Sequence, residues 1–547
     1  MSDNGAGTGA RNFDAVIVGA GFAGLYMLHK LREHGYTARV IEAGSDVGGT
    51  WYWNRYPGAR CDVESLDYQY GFSDELQREW TWTERYATQP EILAYIQHVA
   101  NKFDLKRDVQ FDTRVVGATY EEERARWTVE TDRGDTYTAR FCVMATGCLS
   151  AAKVPEIDGI GSFEGDSYHT GEWPHEGVDF TGKRVGVIGT GSSGIQSIPL
   201  IAEQAEHLYV FQRTPNFSVP ANNAALTEER VHNYRENFLE IKRQARETRA
   251  GMLVQPNEQS VFEVDPEERQ QEFEKRWGQG GFHVVQAYAD LLATEKANET
   301  IAEFVRSKIR EIVKDPDVAA DLEPHDHPLG TKRVCVDTKY YETFNRDNVT
   351  LVNLRKQQLE GITPAGVRTA AGDYELDAIV FATGFDAMTG ALLRMDIRGK
   401  DGLRLEDKWE GGPRTYLGLS VAGFPNMFTI TGPGSPSVLS NMIVSIEQHV
   451  EWITNCITYL DREGLDTIEA TVDAEDAWVE HVNELADQTL FPLANSWYLG
   501  ANVPGKPRVF MPYVGGVQVY GEKCAEVARN GYEGFSLGAG ERVAVEA

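Results

Sequence analysis

Residues 14–24 read Asp-Ala-Val-Ile-Val-Gly-Ala-Gly-Phe-Ala-Gly, and this stretch decides the fold. An apolar run ends in Gly19, and Gly21 and Gly24 complete a GxGxxG pattern that encloses Phe22 and Ala23. Leu25, Leu28 and Leu31 then recur at helical spacing, and residues 37–42, Thr-Ala-Arg-Val-Ile-Glu, read as a second strand. Strand, glycine turn, helix and strand in this order open a dinucleotide-binding unit. The glycines allow a tight turn, close approach of the backbone to a pyrophosphate, and close helix–strand packing, with the helix amino terminus facing the phosphates. Glu42 follows Gly24 by eighteen residues, where an acid accepts both hydroxyls of an adenosine ribose.

The same grammar restarts at residue 183. Lys-Arg-Val-Gly-Val-Ile-Gly189 is followed by Thr190, Gly191, Ser192, Ser193 and Gly194, with Ile195 and Gln196 continuing into a helix. The next strand, residues 207–213, ends in Arg213 rather than an acid, nineteen residues after Gly194, with Thr214 beside it. A carboxylate there would repel a 2′-phosphate, whereas an arginine pairs with it, so the second site is expected to take NADPH. Two dinucleotide sites of different ribose chemistry point to a flavoprotein reduced by NADPH, with FAD in the first site. Ala145-Thr-Gly147 and Ala382-Thr-Gly384 each end an apolar strand, a turn that recurs in such flavoproteins.

Between the two halves of the second unit the pattern turns helical. Val231, Tyr234, Phe238 and Ile241 mark an amphipathic helix, and Asp265-Pro-Glu-Glu268 has the form of a helix start. Thr300 to Glu303 has capping-box spacing, with Ile301, Phe304, Ile309 and Ile312 on one face of the helix expected to follow. Strands return at 349–352 and 378–384. The expected fold is α/β, with two Rossmann-like dinucleotide-binding domains and a helical insertion in the second. The FAD-binding domain is expected over 1–150 and 390–547, the NADP-binding domain over 151–224 and 329–389, and the insertion over 225–328.

Composition narrows the function classes. A net charge of −30 over 547 residues excludes the basic footprint that nucleic-acid binding needs. The six cysteines (61, 142, 148, 335, 456 and 524) include no CxxC pair, so neither a metal site nor a dithiol centre is expected. Dispersed thiols fit a reducing, cytoplasmic setting. No run of about 18 apolar residues indicates a membrane span. The polar, glycine-rich residues 1–12 read as a frayed leader.

Residues 163–174, Phe-Glu-Gly-Asp-Ser-Tyr-His-Thr-Gly-Glu-Trp-Pro, match FxGxxxHxxxW(P/D) at every fixed position: Phe163, Gly165, His169, Trp173 and Pro174. Residues 48–62, Gly-Gly-Thr-Trp-Tyr-Trp-Asn-Arg-Tyr-Pro-Gly-Ala-Arg-Cys-Asp, fit a second pattern. On these stretches the chain resembles the type I Baeyer–Villiger monooxygenases over residues 12–535, and residues 432–442 look closest to the phenylacetone and steroid monooxygenase branch. The related N- and S-oxygenating flavin monooxygenases end the first motif with an aromatic residue and lysine instead.

The resemblance implies NADPH- and oxygen-dependent conversion of ketones to esters or lactones through a C4a-peroxyflavin. It assigns Arg333, after Lys332, to stabilise the anionic oxygen, and Asp62 to orient that arginine. It places Gly49, Thr50, Trp51, Tyr52, Trp53, Asp62, Tyr68 and Val115 with Glu42 at the flavin nucleotide. Arg60, Cys61, Asp62, Lys332, Arg333 and Trp497 join the second glycine loop at NADP, with Lys332 on the 2′-phosphate side and Trp497 on a closing loop. His169 is either an interdomain linker or a packed structural histidine. Ser437, Val438, Leu439 and Met442 line a substrate pocket or merely pack. The partners expected are a small-molecule ketone and oxygen, with no nucleic acid and no membrane; a monomer is compatible. The competing readings are an N- or S-oxygenating monooxygenase, a disulfide reductase, for which a close cysteine pair is absent, and a non-catalytic flavin redox sensor.

Overall fold

The computed structural model describes residues 11–254 and 256–539. The leader expected over residues 1–12 thus lies, up to residue 10, outside the described residues.

The first glycine unit forms as expected. Strand Arg11–Val18 lies between Ala38–Ile41 and Thr136–Met144, parallel to both, and helix Phe22–Glu33 crosses between them. Leu25, Leu28 and Leu31 are fully buried on this helix. The mixed sheet runs Asp396–Arg398, Val115–Glu121, Arg126–Thr131, Thr136–Met144, Arg11–Val18, Ala38–Ile41, Val109–Gln110, and Met427–Thr429 adds to Thr136–Met144. Long helix Met442–Glu463 covers the face that carries Phe22–Glu33, and Ile443, Val450, Ile453 and Ile457 join that core.

The second unit is an all-parallel sheet in the order Val349–Asn353, His207–Gln212, Arg184–Ile188, Ala378–Phe381, Asp166–His169. Its central strands Arg184–Ile188 and Ala378–Phe381, covered on both faces, are near-continuous apolar runs, whereas the edge strand Asp166–His169 is polar and largely exposed. The 163–174 motif contributes the edge strand, and Trp173 packs into the core beside Phe180.

The helical region is shared between cores. Helix Glu228–Arg246 buries Tyr234 and Phe238 against the first unit. Helices Pro266–Gln279 and Glu295–Ile312 build a separate core with Phe217, Val219 and Val336. The Asp265 start is observed: its carboxylate accepts from the Glu267 and Glu268 amides, both at 2.9 Å. The Thr300 capping box is not. The helix starts at Glu295, where the Thr294 hydroxyl accepts from the Ala297 amide at 3.2 Å. Thr300 sits inside the helix and donates to the Ala297 carbonyl at 2.7 Å. The earlier threonine captures the free amides of the first turn, so the later T-x-x-E spacing has none left to cap.

Candidate active site

The two glycine loops are built alike. A Cβ at Gly19 would stand 2.7 Å from the Ala145 carbonyl oxygen, and one at Gly189 would stand 2.4 Å from that of Ala382. Each Ala-Thr-Gly turn therefore abuts a glycine loop, which gives those turns a structural reason. A Cβ at Gly24 or Gly194 would strike the carbonyl of Gly19 or Gly189, so both helices pack directly on their strands. At Gly191 a Cβ meets nothing within 4 Å. Neither helix has a side-chain cap or an acid in its first turn. The helices starting at Glu228, Pro266 and Glu295 all have both. Uncapped amides and an acid-free first turn are what a phosphate requires, so the residues present fit a dinucleotide at each loop.

Glu42 ends its strand buried, and its carboxylate accepts from the Ala20 amide at 2.6 Å and the Gly44 amide at 2.7 Å. Burial raises its pKa, against the pull of these amides. Each oxygen keeps a second lone pair for a ribose hydroxyl. Gly49 lies against Gly21 and leads into the short helix Thr50–Trp53, and the Trp51 indole donates to the Tyr68 hydroxyl at 3.2 Å. Val115 is packed in the sheet core with Ile41.

At the second loop, the Thr190 hydroxyl donates to the Thr214 carbonyl at 3.1 Å, and Ser192 and Ser193 point to Cys335 and Thr170. Ile195 departs from the expected contact role. Its side chain is fully buried, and its amide makes the first intrahelical bond, to Gly191. Arg60 Nη1 donates to Glu84 at 2.6 Å and to the Tyr86 carbonyl at 2.9 Å, and its Nε and Nη2 have no acceptor among the described residues. Its backbone ties the first unit to the second, where the Gln196 amide donates to the Arg60 carbonyl at 3.2 Å.

Arg333 stands where distant segments converge. Its Nε and Nη2 donate to the two Asp62 oxygens, each at 2.9 Å, and Nη1 donates to the Val438 carbonyl at 2.6 Å. The guanidinium lies over the Phe282 ring, 4.7 Å from its centroid, and contacts the buried Tyr498 hydroxyl. Burial works against its charge, but Asp62 more than offsets this and holds the pKa above the ordinary arginine value. The side chains remain 23% and 25% exposed, so the pair faces an opening rather than a sealed core.

His169 is buried, and its Nδ1 accepts from the Gly171 amide at 3.0 Å, leaving Nε2 to donate to the Lys153 carbonyl at 3.2 Å. Burial lowers its pKa. The Lys153 ammonium in turn donates to the Asn502 carbonyl, on the segment that follows Trp497. Trp497 is half-buried against Tyr498. Ser437 is fully buried, its hydroxyl 3.0 Å from Cys148 Sγ, whereas Leu439 and Met442 stay half-buried. The Val438 carbonyl, Phe282 and Tyr498 carried no local signal in the sequence; each reaches Arg333 only through the tertiary fold.

Comparison with known proteins agrees with this architecture. The family model described as pyridine nucleotide-disulphide oxidoreductase matches residues 16–274. All six cysteines are free and buried, so the dithiol of the reductases in that description has no counterpart here. The chain is 45% identical to a Baeyer–Villiger monooxygenase of Pseudooceanicola batsensis over 95% of each chain. It is 43% identical to phenazine N-monooxygenase PhzNO1 of Lysobacter antibioticus, over 96% of this chain and 97% of the other. A solved structure of oxidized steroid monooxygenase bound to NADP is 54% identical and superposes with a TM-score of 0.93, covering 97% of this chain and all of the other. The fold and site thus define a flavoprotein monooxygenase with two dinucleotide-binding units. Within that class, the chain belongs to the type I Baeyer–Villiger monooxygenase family.

Proposed function

We propose that the chain oxidises ketones to esters or lactones with NADPH and oxygen, holding FAD at the Gly19–Gly24 loop and NADPH at the Gly189–Gly194 loop. FAD, when bound, supplies hydride acceptance and oxygen transfer. The chain supplies placement and charge. Glu42, the Gly21–Gly49 contact and the uncapped helix start would hold the flavin nucleotide. Gly191, Arg213, Thr214 and Lys332 would hold the phosphates of NADPH. Arg333 offers a cation that cannot lose its proton near neutral pH, fixed on three acceptors. Such a charge stabilises an anionic oxygen nucleophile and the negative charge that develops on the carbonyl oxygen, without reorganising during the reaction. Asp62 orients it, and Tyr498 and Phe282 shield it from water. His169 serves as a linker rather than a base, since both ring nitrogens are engaged by backbone.

The observation that carries this reading is the Arg333–Asp62–Val438 geometry. We assign residues 1–150 and 390–547 to the FAD-binding part, 151–224 and 329–389 to the NADP-binding part, and 225–328 to the helical insertion. The setting is cytoplasmic; among the described residues no helix is long and apolar enough to cross a membrane. The test is NADPH consumption by the FAD-loaded protein across ketones, sulfides and heteroaromatic amines, with products identified. The amines belong in the panel because one relative is named for N-oxygenation. Esters from ketones are expected; oxidation of amines or sulfides alone would overturn the reading.

A further inference from the structure

Strands His207–Gln212 and Val349–Asn353 run parallel with Asn353 opposite Gln212. Arg213 and Arg355 therefore leave the same edge of the sheet, and both lie close enough to Lys332 to act on its charge. Arg355 Nη2 donates to the Thr214 hydroxyl at 3.2 Å and to Asp326 at 2.5 Å. Its Nε and Nη1 have no acceptor among the described residues, and the side chain is 49% exposed. Asp326 is held from behind by His327 Nδ1 at 2.7 Å, whose buried ring packs on Phe217.

The charges at this edge do not cancel. Arg213 and Lys332 have no ion-pair or hydrogen-bond partner among the described residues, Arg355 meets Asp326 through one nitrogen, and the nearby Asp321 is paired with Lys356. Lys153 is also near Arg213, but its ammonium is committed to the Asn502 carbonyl. Burial depresses the Lys332 pKa first, Asp326 opposes, and Arg213 and Arg355 depress it further. Converging cations with unused donors, facing solvent beside the second glycine loop, form a cradle for a dianion.

We propose that Arg355 is a further specificity-determining residue that pairs with the 2′-phosphate of NADPH alongside Arg213 and Lys332. This rests on the reading of the second loop as the NADPH site. Three features favour a guanidinium at this position. Its planar fork can keep Asp326 and Thr214 on one nitrogen while presenting two more to phosphate oxygens. It follows the strand neighbouring the one that leads into Arg213. Its anchor, Thr214, is the residue that the Thr190 hydroxyl ties to the glycine loop.

The test is calorimetric titration of the FAD-loaded protein and its Arg355→Ala, Arg355→Lys and Arg213→Ala variants with adenosine 2′,5′-bisphosphate and adenosine 5′-monophosphate. Arg355 is half exposed, so its removal leaves the core intact. Arg355→Ala is expected to weaken bisphosphate binding about tenfold or more and monophosphate binding less than about twofold, with Arg355→Lys in between. If Arg213→Ala weakens the bisphosphate and Arg355→Ala does not, the proposal falls while the NADPH site stands. Equal weakening of both ligands by Arg355→Ala would mark a structural role and also overturn it. If the parent protein does not prefer the bisphosphate, the NADPH reading itself fails.

Discussion

Arg333 spends all three guanidinium nitrogens on fixed acceptors, two of them on one carboxylate. Such an arginine works by holding its charge still, not by swinging toward a ligand. Asp62 then sets both its direction and its effective charge. Asp62→Asn keeps the size of the side chain but removes the counter-charge, leaves one acceptor where Arg333 uses two, and turns an amide donor toward the guanidinium. We expect it to lower ester formation about 10- to 30-fold, a cost of roughly 2 kcal/mol. FAD should largely be retained, because the contacts at Glu42 and Gly21 are untouched. Ester formed per NADPH consumed, measured beside the flavin spectrum, reports this. A variant of parental activity would make Asp62 a structural residue only.

Helix starts and turns show why some elements were legible and others were not. The glycine loops could be read because each glycine answers a local demand: Gly194 has no room for a side chain, and Gly191 leaves room that a phosphate would use. The two alanine variants should therefore fail differently. Gly194→Ala drives a Cβ into the Gly189 carbonyl at 2.3 Å and should lower thermal stability. Gly191→Ala should leave the melting temperature near the parent value yet weaken NADP binding at least about tenfold. The Thr300 box was misread because T-x-x-E also occurs inside helices, and only the free amides at Thr294 decide which threonine caps. The partners of Arg333 other than Asp62 lie beyond any local pattern: Val438 is 105 residues away in the chain. Resemblance could name Arg333 and Asp62, but not the carbonyl, the ring and the hydroxyl that complete the cage.

At the scale of the whole molecule, the first and second units meet through backbone bonds such as Gln196–Arg60 and through the ion pairs Arg333–Asp62 and Lys506–Asp386, and the helical region leans on more than one core. Buried titratable groups in this frame make stability depend on pH. His449 accepts from the Thr431 amide at 2.9 Å, and burial pushes its pKa down to about 3. Its folded value lies below the unfolded value of about 6.5. The unfolded chain therefore binds the extra proton, and stability is lost as pH falls from about 6.5 toward about 3. Relative to a His449→Asn variant, the parent should lose about tenfold in folding equilibrium by about pH 5.5, as denaturant unfolding across pH would show. An identical pH dependence in both would contradict it. The central claim, that one fixed arginine turns a two-nucleotide flavoprotein toward oxygen insertion beside a carbonyl, is tested most directly by Arg333→Ala. The account predicts that this variant keeps FAD and still oxidises NADPH, but releases hydrogen peroxide in place of ester when a ketone is present. Ester formation at near-parental rate would contradict it.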